Sequence, residues 1–324
     1  MKGLQPPPKE DTPSKLVGRM VFLILLVVAA GVVVYTAVTN QRIDLTEDVR
    51  TVGLELEDTT DVDGLTINVA EDDGGETPVV LLHDVDVTGG LILAPLSAAL
   101  GDGYHGVRID LPGFGYSDRL PFITTRHTAA GMAEVVAAVL EARFDEAVLL
   151  VGIGFGGNVG AELALTYPEV VSGVVMVDTD LWSRRSNYQT ALQRLPWVGK
   201  AATYTWMTGG RFALDEWSPH CEAGGWCPTQ DDLGRRAFII TIEDTTDSLH
   251  RFVRTNEGAL APGNLPDVTV PMSYVWSLDG PIERDTVDRL TEELPGLVVV
   301  QSSTFQAHLE DHASVSEAIA ALAG

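Results

Sequence analysis

The sequence predicts an α/β fold: a mostly parallel, doubly wound sheet with a helical cap, preceded by one N-terminal transmembrane helix. Three observations predict it. From residue 77 on, short apolar runs alternate with stretches of helical periodicity, the rhythm of a parallel sheet covered on both faces. That rhythm breaks between residues 181 and 263 and then resumes. Near the start, "MVFLILLVVAAGVVVYTAV" (Met20–Val38) carries no charge and is long enough to cross the hydrocarbon core.

Residues 1–15 are polar and proline-bearing, and Lys2, Lys9, Lys15 and Arg19 lie ahead of the apolar run. Acidic residues dominate after it. The positive-inside rule then places 1–19 in the cytoplasm as a tail, 20–38 in the membrane and the rest of the chain outside the cell. A cleaved signal peptide with a break near Ala30 is the alternative, although the apolar run is long for one. "VRTVGLELED" and "GLTINVAED" read as two strands with a turn at Asp63-Gly64. "TPVVLLHD" reads as a strand buried on both faces. A helix over Leu91–Leu100, the strand "HGVRID", the helix "HTAAGMAEVVAAVLEARF", the strand "AVLLVG", a helix over Asn158–Tyr167 and the strand "VSGVVMVD" complete a first core segment, 50–180. The insertion 181–263 is rich in tryptophan and mostly helical in pattern. A second core segment, 264–324, holds "VTVPMSYVWS", "RDTVDRLTEEL", "GLVVVQSS" and "ASVSEAIAALAG" as strand, helix, strand and helix.

The formal net charge of -25 excludes nucleic acid as a partner, and it excludes docking on anionic lipid through a basic patch. Cys221 and Cys227 lie together in "PHCEAGGWCPT". In an oxidising compartment they most simply close a short disulfide loop, with two free thiols as the alternative. His220 and Glu222 raise a metal reading, but the crowding of candidate ligands in one loop, with no second cluster, leaves metal and cofactor both unexpected.

Five local motifs, in order, resemble the α/β-hydrolase family: "VVLLHD", "RIDLPGFGYSD" (Arg108–Asp118), "VGIGFGG", "YVWSLDGPI" and "VVVQSSTFQAHLEDHASV". The resemblance runs from about residue 50 to the C-terminus and implies a cap inserted after the sixth strand. It also implies a nucleophile at the centre of the "VGIGFGG" elbow, an acid in the turn after "YVWS" and a histidine before "HLED". Position by position these are Gly154, Gly280 and Phe305, so no member of the triad is intact. Asp279 falls one residue early. His308 becomes a candidate base if the preceding loop is longer, and Asp178 or Asp180 a candidate acid, but neither supplies a nucleophile. The resemblance further implies an oxyanion hole of backbone donors, Val85 and Phe155. Asp84 stands where the family has glycine, and its carboxylate either occupies that hole or repels an anion. His83 reads as structural. The expected protein is a membrane-anchored, extracytoplasmic binding or scaffolding module without hydrolase activity, for an unidentified small ligand or protein partner. The alternative is an active serine-type hydrolase or lyase of small esters or amides.

Overall fold

The computed structural model describes residues 13–47, 58–120, 125–182, 192–195, 198–208, 226–255 and 262–322. An eight-stranded sheet runs β1 (Thr59–Val62), β2 (Leu65–Glu71), β4 (Tyr104–Ile109), β3 (Thr77–Leu82), β5 (Val148–Ile153), β6 (Val171–Val177), β7 (Met272–Ser277) and β8 (Val298–Ser302) in spatial order. β1 and β2 form an antiparallel hairpin, β2 is antiparallel to β4, and all later pairings are parallel. The hairpin closes at Asp63-Gly64, both at positive φ, the backbone a two-residue turn needs. Residues 49–57 of the first expected strand lie outside the described residues.

Alternation along the buried strands separates two cores. Val80, Leu82, Val107 and Ile109 face α3 (Ala129–Arg143) and α4 (Phe155–Thr166), while Val79, Leu81, Val151 and Val175 face α2 (Ala94–Ala98) and α10 (His312–Leu322). Each such side chain contributes roughly 1.5–3 kcal/mol by leaving water. α3 starts where Thr128 accepts a hydrogen bond from Gly131 N. The helix expected over Leu91–Leu100 is split: a 3-10 turn at Gly89–Leu93 leads into α2, where Pro95 occupies a first-turn position that needs no N–H.

The cap's described parts include α5 (Gly199–Thr208), α6 (Gln230–Ile240) and α7 (Thr245–Thr255). α8 (Arg284–Glu293) lies between β7 and β8, and the short α9 (Ala307–Glu310) precedes α10. α1 is a single helix, Pro13–Thr46, longer than the expected span at both ends: it starts at Pro13, within the expected tail, and continues through "TNQRIDLT". It is long and apolar enough to cross a membrane. Such a helix is compatible with a single-pass anchor and with a signal sequence.

Candidate active-site remnant

Gly154 sits between β5 and α4 with φ 51° and ψ -112°, a backbone that L side chains rarely adopt. The turn is held by Gly154 N donating to Val177 O (2.9 Å) and Gly157 N donating to Gly154 O (3.1 Å). The flanking glycine Gly156 is forced by close approach, since a Cβ there would fall 2.3 Å from Leu82 O. At Gly154 the obstacle is different. A Cβ would lie 2.3 Å from Asp84 Cγ and 2.5 and 2.6 Å from its two oxygens. The Asp84 carboxylate therefore fills the space a nucleophile's side chain would take. It also accepts the Phe155 N–H at 2.8 Å, one of the two expected oxyanion donors. Val85 follows in the same turn and is half-buried.

His83 is fully buried. Leu111 N donates to its Nε2 (3.0 Å), so the ring proton is on Nδ1, which donates to Asp84 O (2.6 Å). Both bonds are to main chain: the ring ties the β3 turn to "RIDLPGFGYSD". In that segment the buried Asp110 accepts from Gly90 N, Tyr116 N and Asn68 Nδ2.

The cap closes the space above the elbow. Phe252 of α7 packs edge-on against Phe155 (centroids 4.8 Å) and Phe114 (5.4 Å), and Phe114 against His83 (5.3 Å). Arg236 of α6 pairs with Asp86 (3.0 Å). Burial opposes ionisation of Asp86, but Arg236 and two hydrogen bonds from Thr88 outweigh it and hold the carboxyl below its usual range. A cavity of about 80 Å³ lies beside this pair, between Leu91, Pro95, Trp226 and Leu233.

The positions matched to the acid and the base are neighbours. A Cβ on Gly280 would lie 2.9 Å from Phe305 O. The corner is held by polar bonds: Ser277 Oγ donates to Asp178 (2.6 Å) and accepts from Ala307 N (2.9 Å), while Ser277 N donates to the same aspartate (2.8 Å). Asp178, a candidate acid, is thus engaged by Ser277, and Asp180 accepts from Trp182 N (2.9 Å). Asp279 is exposed. His308 is buried, and burial pushes its imidazole down to about 4, against the opposing pull of the nearby Asp84 charge. His308 therefore lies closer to the elbow than its place in the sequence suggests. Among the described residues its Nδ1 has no hydrogen-bond partner. Among the described residues no cluster of His, Cys, Asp or Glu could hold a metal. Cys221 lies outside the described residues, and with it the expected disulfide.

A model of the alpha/beta hydrolase fold matches residues 87–204. The protein named "Putative carbamate hydrolase RutD" from Caulobacter sp. is 32% identical over 261 residues, 76% of this chain and 94% of that protein. The chain belongs to the α/β-hydrolase fold family. The uncharacterized hydrolase YugF of Bacillus subtilis is 26% identical over 62% of this chain and 72% of its own length. The acetyltransferase component of the acetoin cleaving system of Cupriavidus necator is 37% identical, but the chain spans only 30% of that protein. Among solved structures, the enol-lactonase of Burkholderia xenovorans (TM-score 0.60, 16% identity, 82% of this chain and 99% of that one) and an esterase of Thermogutta terrifontis (0.60, 19%, 81% and 94%) share the fold.

Two features of the site were missed at the sequence level. The Asp84 side chain and the absent side chain of Gly154 share one space, readable only once positions 84 and 154 are known to touch. The Phe252 plug had no signal, because helical periodicity in a cap does not say which apolar residue reaches the core.

Proposed function

We propose that this protein is a membrane-anchored, extracytoplasmic α/β-hydrolase-fold protein without hydrolase activity, acting as a binding or scaffolding module. One observation carries the reading: the Asp84 carboxylate fills both the nucleophile's space at Gly154 and the bond of the Phe155 oxyanion donor. Acyl transfer needs a nucleophile beside a base and a donor free to receive the developing oxyanion. A carboxylate held in that position repels the oxyanion instead. Phe305 accepts no proton. The hydrolase names of the relatives describe what the fold does elsewhere, and function follows the site rather than the fold. An unidentified small ligand or protein is the partner in this reading.

The full chain, purified in detergent, is expected to give no turnover of short p-nitrophenyl esters and no labelling by a fluorophosphonate probe. Stoichiometric labelling of a serine would overturn the reading in favour of a working hydrolase. The same sample tests the export half: its non-reduced mass is expected to include residues 1–30 and to be lower by two hydrogens, for a Cys221–Cys227 bond. Cleavage near Ala30 or two alkylatable thiols would count against it.

A further inference from the structure

The C-terminal turns of α1 are a built part of the cap. Thr36, Thr39, Asn40, Ile43, Thr46 and Glu47 fall at helical spacing and are the positions that lose solvent, with Ile43 and Thr39 buried. They pack on α5. Tyr35 Oη donates to Ala201 O (3.1 Å) and meets Thr205 Oγ1 (2.6 Å), Thr46 Oγ1 meets Tyr204 Oη (3.0 Å), and Glu47 accepts from Thr246 N (2.8 Å) and from its hydroxyl. Most of this stripe is polar, an unusual surface for the end of an apolar helix unless something is fitted to it.

The stripe begins inside the apolar run, and that fixes a height. From Val17 to Val34 the helix is bare. Between Met20, just after Arg19, and Val34 it rises only roughly 22 Å. The hydrocarbon core is about 30 Å thick. Were the cap held clear of the lipid, the bare helix would fall roughly 8 Å short. Snorkelling of Arg19 recovers part of that; the remainder brings the cap face beside Tyr35 down to the headgroup layer. Leu192 and Leu195 just precede α5, the helix whose Ala201 bonds Tyr35; Gly199 N is bonded to Leu195 O, and the two leucines are 47% and 45% exposed. The net charge of -25 rules out electrostatic attraction to anionic lipid as the cause.

Resting on the anchored reading above, we propose that the cap is a lipid-contacting module: the polar stripe of α1 clamps it at the bilayer surface, and Leu192 and Leu195 enter the headgroup layer. The neighbouring face of α5 is then seated on lipid, and whatever the cap binds is met at the membrane surface.

The test uses the full chain in phosphatidylcholine nanodiscs, with a genetically encoded spin-labelled residue in place of Leu195 or, as a control, of Val298 on the far edge strand. Collisional relaxation by oxygen reports lipid, and relaxation by a nickel chelate reports water. The oxygen-to-nickel ratio is expected to be several-fold higher at 195 than at 298. A variant with seven residues inserted between Val34 and Tyr35 lifts the cap by about two turns, and it should bring the two ratios together. Equal ratios in an intact chain that resists carbonate extraction would overturn the lipid contact and leave the anchor standing. A chain recovered without the segment before Ala30, or released by carbonate, would overturn the anchor and the contact together.

Discussion

At the elbow, between β3 and β5, the space beside Gly154 is taken by a charged side chain from the neighbouring turn, Asp84. At the other corner, where β7 and β8 end, the space beside Gly280 is taken by main chain, the Phe305 carbonyl, and by the neutral Ser277. Both corners are matched to family positions that carry reactive groups, and both are closed. They differ in what closes them. A packed main chain is insensitive to pH and hard to displace. The Asp84 carboxylate, which accepts the Phe155 N–H, is a side chain that substitution can remove, and its charge is felt by the buried His308. The elbow is therefore the corner that single substitutions can disturb.

The largest effect is expected from Gly154→Ser. The residue must hold φ near +51° and place its Cβ within 2.6 Å of all three carboxylate atoms of Asp84. Strain and overpacking together should cost about 2–5 kcal/mol. Adding Asp84→Gly removes the overpacking, so the pair should couple favourably by at least about 1 kcal/mol in a double-mutant cycle. Neither variant should hydrolyse esters, because Phe305 still occupies the base position. Rebuilding chemistry requires Asp84→Gly as well as serine, aspartate and histidine at 154, 280 and 305. Denaturant melts of the four cycle members check the coupling. Additive costs would mean that Asp84 swings away freely and is no plug.

Next is the pH dependence of the buried His308, which burial sets and the elbow's Asp84 opposes. Its folded pKa, about 4, lies below the ordinary 6.5 because burial penalises the charged ring. As pH falls through that window, the unfolded chain takes up the proton first. Stability is then lost between about pH 6.5 and 4, by about 2–3 kcal/mol, and is fully present above 6.5. His308→Leu should flatten that arm. An unchanged slope would mean that other groups carry the acid sensitivity.

The fold was legible because alternation and punctuation are local. The Asp63-Gly64 turn, the strand ending at Leu82 and the elbow glycines each follow from a few adjacent residues. The matching of Gly154, Gly280 and Phe305 rested on linear motifs; that 280 and 305 lie side by side is a contact between distant segments. What was not legible is long-range. The Asp84 carboxylate reaches Phe155 across 71 residues of sequence, and Tyr35 reaches Ala201 across 166. No periodicity encodes such pairings. His308 shows the same limit: its distance from the elbow depends on how the chain turns through α9, which a motif count does not resolve.

The corner at Ser277 is expected to respond less. Ser277→Ala removes the hydroxyl that bridges Asp178 and Ala307 N, which should cost about 2 kcal/mol in a thermal or denaturant melt. A cost as large as that of Gly154→Ser would remove the contrast between the corners.

The smallest effect sharpens the comparison with a second carboxylate. Asp178, in the corner at Ser277, is buried with two donors from Ser277. Glu162, on the helix that leaves the elbow, is also buried, yet it receives no hydrogen bond among the described residues. Burial alone pushes its carboxyl up to about 7. A folded pKa above the ordinary 4.5 means that the folded state holds the proton more tightly. That contribution is fully present below 4.5 and is lost as pH rises through 7. Glu162→Gln keeps the shape and cannot ionise, so it should be near neutral at pH 5 and stabilising at pH 8. The gain should be of order 1 kcal/mol, reduced from the full shift by the side chain's remaining water contact. Melts of the two proteins at both pH values decide it. Equal effects at pH 5 and 8 would mean that the Glu162 carboxylate is solvated after all, and that burial on the elbow side does not penalise it.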